Sequence, residues 1–128
     1  MNGQHSGRIT DQEIRRMSVL LHEAWSLGSS SLWTPECPAK GQCGVTSLVM
    51  QERYGGDILK TGIKGSWHYY NRIGGRRIDF TAPQFEHVPE YEDRLSSREE
   101  AWTDTNAAQV ECLTRRLVGI ERGLGLRE

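Results

Sequence analysis

Cysteine is scarce, net charge is nearly absent, and no long apolar run occurs anywhere in the 128 residues. The three cysteines, Cys37, Cys43 and Cys112, are an odd number in a mid-sized chain. That argues against a disulfide framework and points to a reducing, cytoplasmic setting. With 16 basic and 17 acidic side chains the formal net charge is −1. No global pull toward nucleic acid or an anionic membrane follows, so neither is expected as a partner. The opening MNGQHSGRITDQE contains no apolar segment of the kind a secretion signal needs. Internal repeats and low-complexity tracts are also missing. What is present, 36% hydrophobic and 26% charged residues, suits one folded domain with its own core. The expected division is a loose polar tail over 1–9 and a single domain over 10–128.

Thr10-Asp11-Gln12-Glu13 forms a capping box, and Ile14, Met17, Leu20 or Leu21 and Ala24 follow at helical spacing. A helix is therefore expected over 11–26. Pro35 and Pro38 forbid its continuation. A second helix begins at Gln42 or Cys43 and stops at Gly55-Gly56. Ile58 and Leu59 suggest a short extended piece before a loop at 61–65. Residues 66–73 and 76–80, joined by Gly74-Gly75, read as a hairpin with a two-residue turn. The acidic stretch 82–104 reads as loop. Thr103, Asp104 or Thr105 would cap a last helix carrying Val110, Leu113, Leu117 and Ile120 on one stripe. The order of elements is that of an α+β fold.

Chemistry concentrates at Gly41-Gln42-Cys43-Gly44-Val45, where a loop turns into a helix. Free N–H groups and the dipole at a helix start favour a thiolate and can hold an oxyanion, so Cys43 is the candidate nucleophile, with Gly44 leaving room for a substrate. The hairpin turn fixes a register in which Arg72 pairs with Arg77, Tyr70 with Asp79 and His68 with Thr81. Because side chains alternate along strands, His68 and Asp79 then share a face one diagonal step apart, with Asn71 on the other face. His68 is the expected base and Asp79 its orienter. Gln42 either donates to an oxyanion or merely caps the helix. Trp33, Trp67, Tyr69 and Tyr70 either line a cleft or are core material. Arg72 and Arg77 either hold an anionic group of a substrate or sit on a solvated hairpin tip, the plainer account. Cys37 and Cys112 read as filler, and His5, His22 and His87 as surface residues. A metal is not expected, since the spacing of Cys37, Cys43 and His68 matches no structural zinc pattern. No cofactor is called for.

Trp25-Ser26, Trp33, Pro35, Pro38-Ala39, Gly41-Gln42-Cys43-Gly44-Val45-Thr46, Gly55-Gly56, His68-Tyr69-Tyr70-Asn71-Arg72, Asp79-Phe80-Thr81 and Gln84-Phe85 occur in that order. Together they resemble the small bacterial YunG-like proteins over most of the chain. The order Cys, His, Asp is also similar to the wider papain-like and transglutaminase-like group, in which a helix begins at the cysteine and the other two residues lie on neighbouring antiparallel strands. That resemblance implies a papain-like α+β domain and a Cys43-His68-Asp79 thiol hydrolase or acyltransferase acting on an amide, ester or thioester of a small molecule or peptide. Trp33, Gln42, Gly44, Trp67, Tyr70, Asn71 and Arg72 would then bind the substrate or its oxyanion. The papain-type oxyanion glutamine has no counterpart here, because Cys37 stands in its place, so Gln42 or backbone N–H groups would serve. The other reading is a non-catalytic binding or regulatory module that keeps the fold.

Overall fold

The structure, a computed structural model, describes residues 8–125. Among them the elements run α1 (Asp11–Ala24), α2 (Cys43–Tyr54), β1 (Asp57–Ile63), β2 (Ser66–Ile73), β3 (Arg76–Ile78), a 3₁₀ turn (Ala82–Gln84), β4 (Arg94–Leu95), α3 (Arg98–Trp102) and α4 (Ala107–Gly123). The strands form one antiparallel sheet in the order β3-β2-β1-β4. The fold is α+β.

Residues 1–7 of the expected tail lie outside the described residues. At its other end the Ile9 side chain is buried in the core and its carbonyl accepts from Arg76. At α1 the capping box is made, with Thr10 accepting from the Glu13 amide at 3.1 Å and Glu13 accepting from the Thr10 amide at 2.9 Å. The helix buries Met17, Leu20, Leu21 and Ala24 and ends there, short of residue 26. Trp25 turns extended so that its indole N–H can reach Thr46 Oγ1 on α2 at 2.9 Å.

Four sequence expectations need correction. The loop at 61–65 is strand as far as Ile63, because β1 pairs with β2 along its whole length, from Asp57↔Arg72 to Ile63↔Ser66. The return strand keeps the expected register, Arg72↔Arg77 and Ile73↔Arg76, but stops at Ile78. The Asp79 carboxylate there accepts from the Thr81 amide and hydroxyl at 3.2 and 3.3 Å, and the chain turns away into the 3₁₀ turn containing Pro83. The pairings Tyr70–Asp79 and His68–Thr81 therefore do not form. The stretch 82–104, expected as loop, holds β4 on the edge of β1 and α3, whose cap is Ser97. Asn106, not a residue of 103–105, caps α4.

The main core lies between α1, α2, α4 and the sheet and includes Met17, Leu21, Val45, Met50, Ile73, Leu113 and Leu117. A smaller cluster joins Cys43 and Leu48 to Ile58, Tyr69 and Ala101. Alternation sorts β2 between its faces. Asn71 turns to α2, its amide donating to Ser47 O at 3.1 Å. Tyr70 turns to the segment after β3, its hydroxyl donating to Asp93 at 3.0 Å.

Candidate functional site

The loop entering α2 is folded tightly on itself. Gly41 has φ +72°, and a Cβ there would lie 2.5 Å from Ser30 Oγ. Gln42 occupies the cap position and Cys43 is the first helical residue. Cys43 is only 9% exposed. Its thiol donates to Asp104 Oδ2 at 3.5 Å, and the Gly44 amide donates to the same oxygen at 3.0 Å. Gly44 permits this approach, since a Cβ would sit 2.5 Å from that oxygen.

The expected thiolate is corrected by this arrangement. Burial first, and then the Asp104 charge, push the Cys43 thiol up to about 12, although the Tyr69 backbone amide acts the other way. The helix start is electropositive, but Asp104 already answers its field. Asp104 is itself raised above the usual carboxylate range, chiefly by desolvation, with its bonds to Cys43 and Gly44 and the field of His68 opposing.

His68 and Asp79 meet. Nε2 of His68 lies 2.7 Å from Asp79 Oδ2, with both side chains 4% exposed. Tyr91 donates its hydroxyl to that oxygen at 2.8 Å. With Thr81 on the other oxygen, the carboxylate is held on both sides. The imidazole is fixed by Phe85, edge-on with ring centres 4.8 Å apart, and by Tyr70 at 5.8 Å. Nδ1 is the ring nitrogen that Asp79 leaves free.

Among the described residues no hydrogen bond joins Cys43 to His68. The ring follows the Tyr70 face of β2, whereas Cys43 packs with Tyr69, whose side chain leaves the opposite face. The groups still act on one another electrostatically: Asp79 on Cys43, and His68 on Asp104. The site is thus a cluster of Cys43, His68, Asp79 and Asp104, with the thiol engaged by Asp104.

Gln42 makes no capping bond. It is fully buried, and neither its amide nitrogen nor its amide oxygen has a hydrogen-bond partner. Trp33 packs against the main core and leaves its buried indole N–H without a partner. Tyr70 and Asn71 serve as struts, to Asp93 and Ser47. Arg72 pairs with Asp57 and Arg77 with Asp93, so each guanidinium already has an internal anion. Trp67 is on the surface beneath Lys60 Nζ, 4.3 Å from the ring centre. Cys37 lies in the loop before α2 and Cys112 on α4, its sulfur 3.8 Å from Ser26 Oγ. His22 bonds back to Ser18 O, His87 borders a cleft, and His5 is outside the described residues. Among the described residues no group of three or more His, Cys, Asp or Glu is placed to hold a metal ion.

Asp104, Tyr91, Thr81 and Phe85 are the site residues that sequence reasoning missed. Only the Asp79-Phe80-Thr81 spacing carried a usable signal, that of a side chain bonding its own backbone two residues on. Beside the site, Phe85 and Tyr91 form one wall of a cleft of about 600 Å³ whose other residues include Gly62, Lys64, His87 and Glu90.

A family model described as YunG protein matches residues 13–120. A Bacillus subtilis protein named "Uncharacterized protein YunG" is 50% identical over 100 residues, covering 78% of this chain and 87% of that protein. No solved structure matches the chain.

Proposed function

We propose that this chain, which belongs to the YunG family, is a cysteine hydrolase or acyltransferase of papain-like arrangement, described here in its resting form. The observation that carries this reading is the sealed His68–Asp79 pair. A 2.7 Å imidazole–carboxylate contact, with Tyr91 and Thr81 holding the carboxylate and Phe85 the ring, is a preorganised proton-transfer unit. It stands within electrostatic range of a cysteine that opens a helix on an antiparallel sheet.

In the reaction, which requires Cys43 and His68 to be brought together, Cys43 Sγ bonds to the acyl carbon while its proton passes to His68 Nδ1. The bond to the leaving amine, alcohol or thiol then breaks, and His68 returns the proton to that group. Water or an amine attacks the resulting thioester, gives its proton to His68, and the thiol is released and reprotonated. Asp79 stabilises the imidazolium throughout. The acyl oxygen is held by the Gly44 amide, and the unpartnered Gln42 amide supplies a further donor.

Intact-mass analysis after incubation with activated esters and thioesters tests this. A single acyl adduct is expected, lost in Cys43→Ala and in His68→Ala, and kept in Cys37→Ala and Cys112→Ala. Absence of any adduct, or equal modification of the three cysteines, refutes it.

One observation favours the second reading, a non-catalytic binding or regulatory module. The thiol is sealed and its ionisation suppressed, the reverse of what an activated nucleophile shows at rest. For such a module the adduct stays absent even when Cys43 is exposed.

A further inference from the structure

The Cys43 thiol and the Gly44 amide converge on one oxygen that belongs to the protein itself. Asp104 Oδ2 lies 3.0 Å from the Gly44 nitrogen and 3.5 Å from the sulfur. The Gly44 amide stands as far from that oxygen as an oxyanion donor stands from its oxygen, about 2.7–3.1 Å, and the thiol hydrogen-bonds the same atom. We infer that Asp104 is a resident occupant of the acyl-oxygen position, a carboxylate standing where substrate or product binds, and that it must withdraw before Cys43 can work. This rests on the reading of Cys43 as a nucleophile given above.

Asp104 is built to do this. It lies in the short link between α3 and α4, just after Trp102 and just before the Asn106 cap. Its amide donates to Ala101 O at 3.0 Å, so the turn after α3 sets where the carboxylate points. Gly44 leaves a space the carboxylate fills, because a Cβ there would lie 2.5 Å from Oδ2 and 2.7 Å from Asp104 Cβ. His68 acts on the same carboxylate. Withdrawal of Asp104 therefore removes the group that engages the thiol. The position it vacates takes a carboxylate, so a carboxylic acid released by hydrolysis is the ligand class it suits.

The charged and titratable groups around this contact come from separate elements: Cys43 on α2, Tyr69 and His68 on β2, Asp79 after β3, and Asp104 itself. Asp104 and Asp79 both oppose thiolate formation, and only Asp104 touches the sulfur.

The test is the rate of Cys43 alkylation by iodoacetamide from pH 6 to 10, read by peptide mass on the full chain, with thermal melting as the folding check. Asp104→Ala removes the carboxylate. Asp104→Asn removes only its charge. Gly44→Ala expels the carboxylate by its bulk and leaves the charge intact. Faster alkylation at pH 8 in Asp104→Ala and Gly44→Ala, by about tenfold or more, is expected, since each unit of thiol pKa is a tenfold change in thiolate. In Asp104→Asn the pH midpoint moves down. Rates within about twofold of the native chain in all three folded variants, with the midpoint unmoved, overturn the inference. Adding His68→Ala separates it from the catalytic reading. If Asp104→Ala is fast and His68→Ala does not slow it, the occupant is real and the relay is not. If His68→Ala slows the native chain while Asp104→Ala changes nothing, the relay holds and the occupant does not.

Discussion

His68 and Tyr91 share one acceptor. Their polar atoms lie 2.7 and 2.8 Å from Asp79 Oδ2, so the ring and the phenol are positioned by the same oxygen. Asp79→Asn keeps the shape but offers an amide where an anion is needed, and His68 loses the charge that stabilises its protonated form. On the proposed function, the expected result is a fall of about a hundredfold or more in the rate of Cys43 acylation, measured by time-resolved intact mass.

Tyr91→Phe is milder. It removes a donor from a buried carboxylate that Thr81 and His68 still hold, and about 1–2 kcal/mol of stability is expected to go, as read in urea denaturation. The acylation rate should fall less than in Asp79→Asn, because the imidazole keeps its anion.

Away from the site, Arg53 of α2 and Glu121 of α4 form a bidentate pair at 2.9 and 2.5 Å, with the glutamate side chain 3% exposed. Glu121→Ala strands a largely buried guanidinium and is expected to cost about 3 kcal/mol or more. The double variant Arg53→Met, Glu121→Leu should recover most of that loss in the same denaturation assay, since both buried charges are gone.

Stability should also depend on pH in opposite directions for different carboxylates. The Arg77 guanidinium, with help from Tyr70, holds Asp93 below its ordinary range. The Lys60 ammonium does the same for Glu100 and the Gly62 amide for Glu92. For these groups the stabilisation is present above the unfolded values of 3.8 and 4.5 and is lost as pH falls through the lower folded ones. Asp104 runs the other way, because its folded value is raised and its contribution weakens as pH rises from 3.8 upward. Melting temperatures from pH 3 to 7 should show a shallower acid limb in Asp93→Asn. Asp104→Asn should gain on the native chain with rising pH over that window.

Local signals are legible in the sequence. The capping box at Thr10 and Glu13 involves residues three apart, and the Gly74-Gly75 turn sets a register that needs no distant information. The same register put His68 and Asp79 on one side of the hairpin, where they meet, even though β3 ends one residue before Asp79. What escaped depends on contacts far along the chain. Asp104 is 61 positions from Cys43 and sits in an acidic stretch that offers no local reason to single it out. Strand pairing also does not say which face α2 covers; Asn71 and Tyr69 won that face, not His68. β4 is two residues long and gains its identity only from the edge of β1.

Exposure and thiolate character together decide how fast a cysteine is oxidised. A sulfur 9% exposed and kept protonated near neutrality reacts slowly with peroxide, whatever its chemistry once uncovered. Cys43 is thus shielded from oxidation in this arrangement, and an oxidant reaching the folded protein should react first at the less buried Cys37 and Cys112.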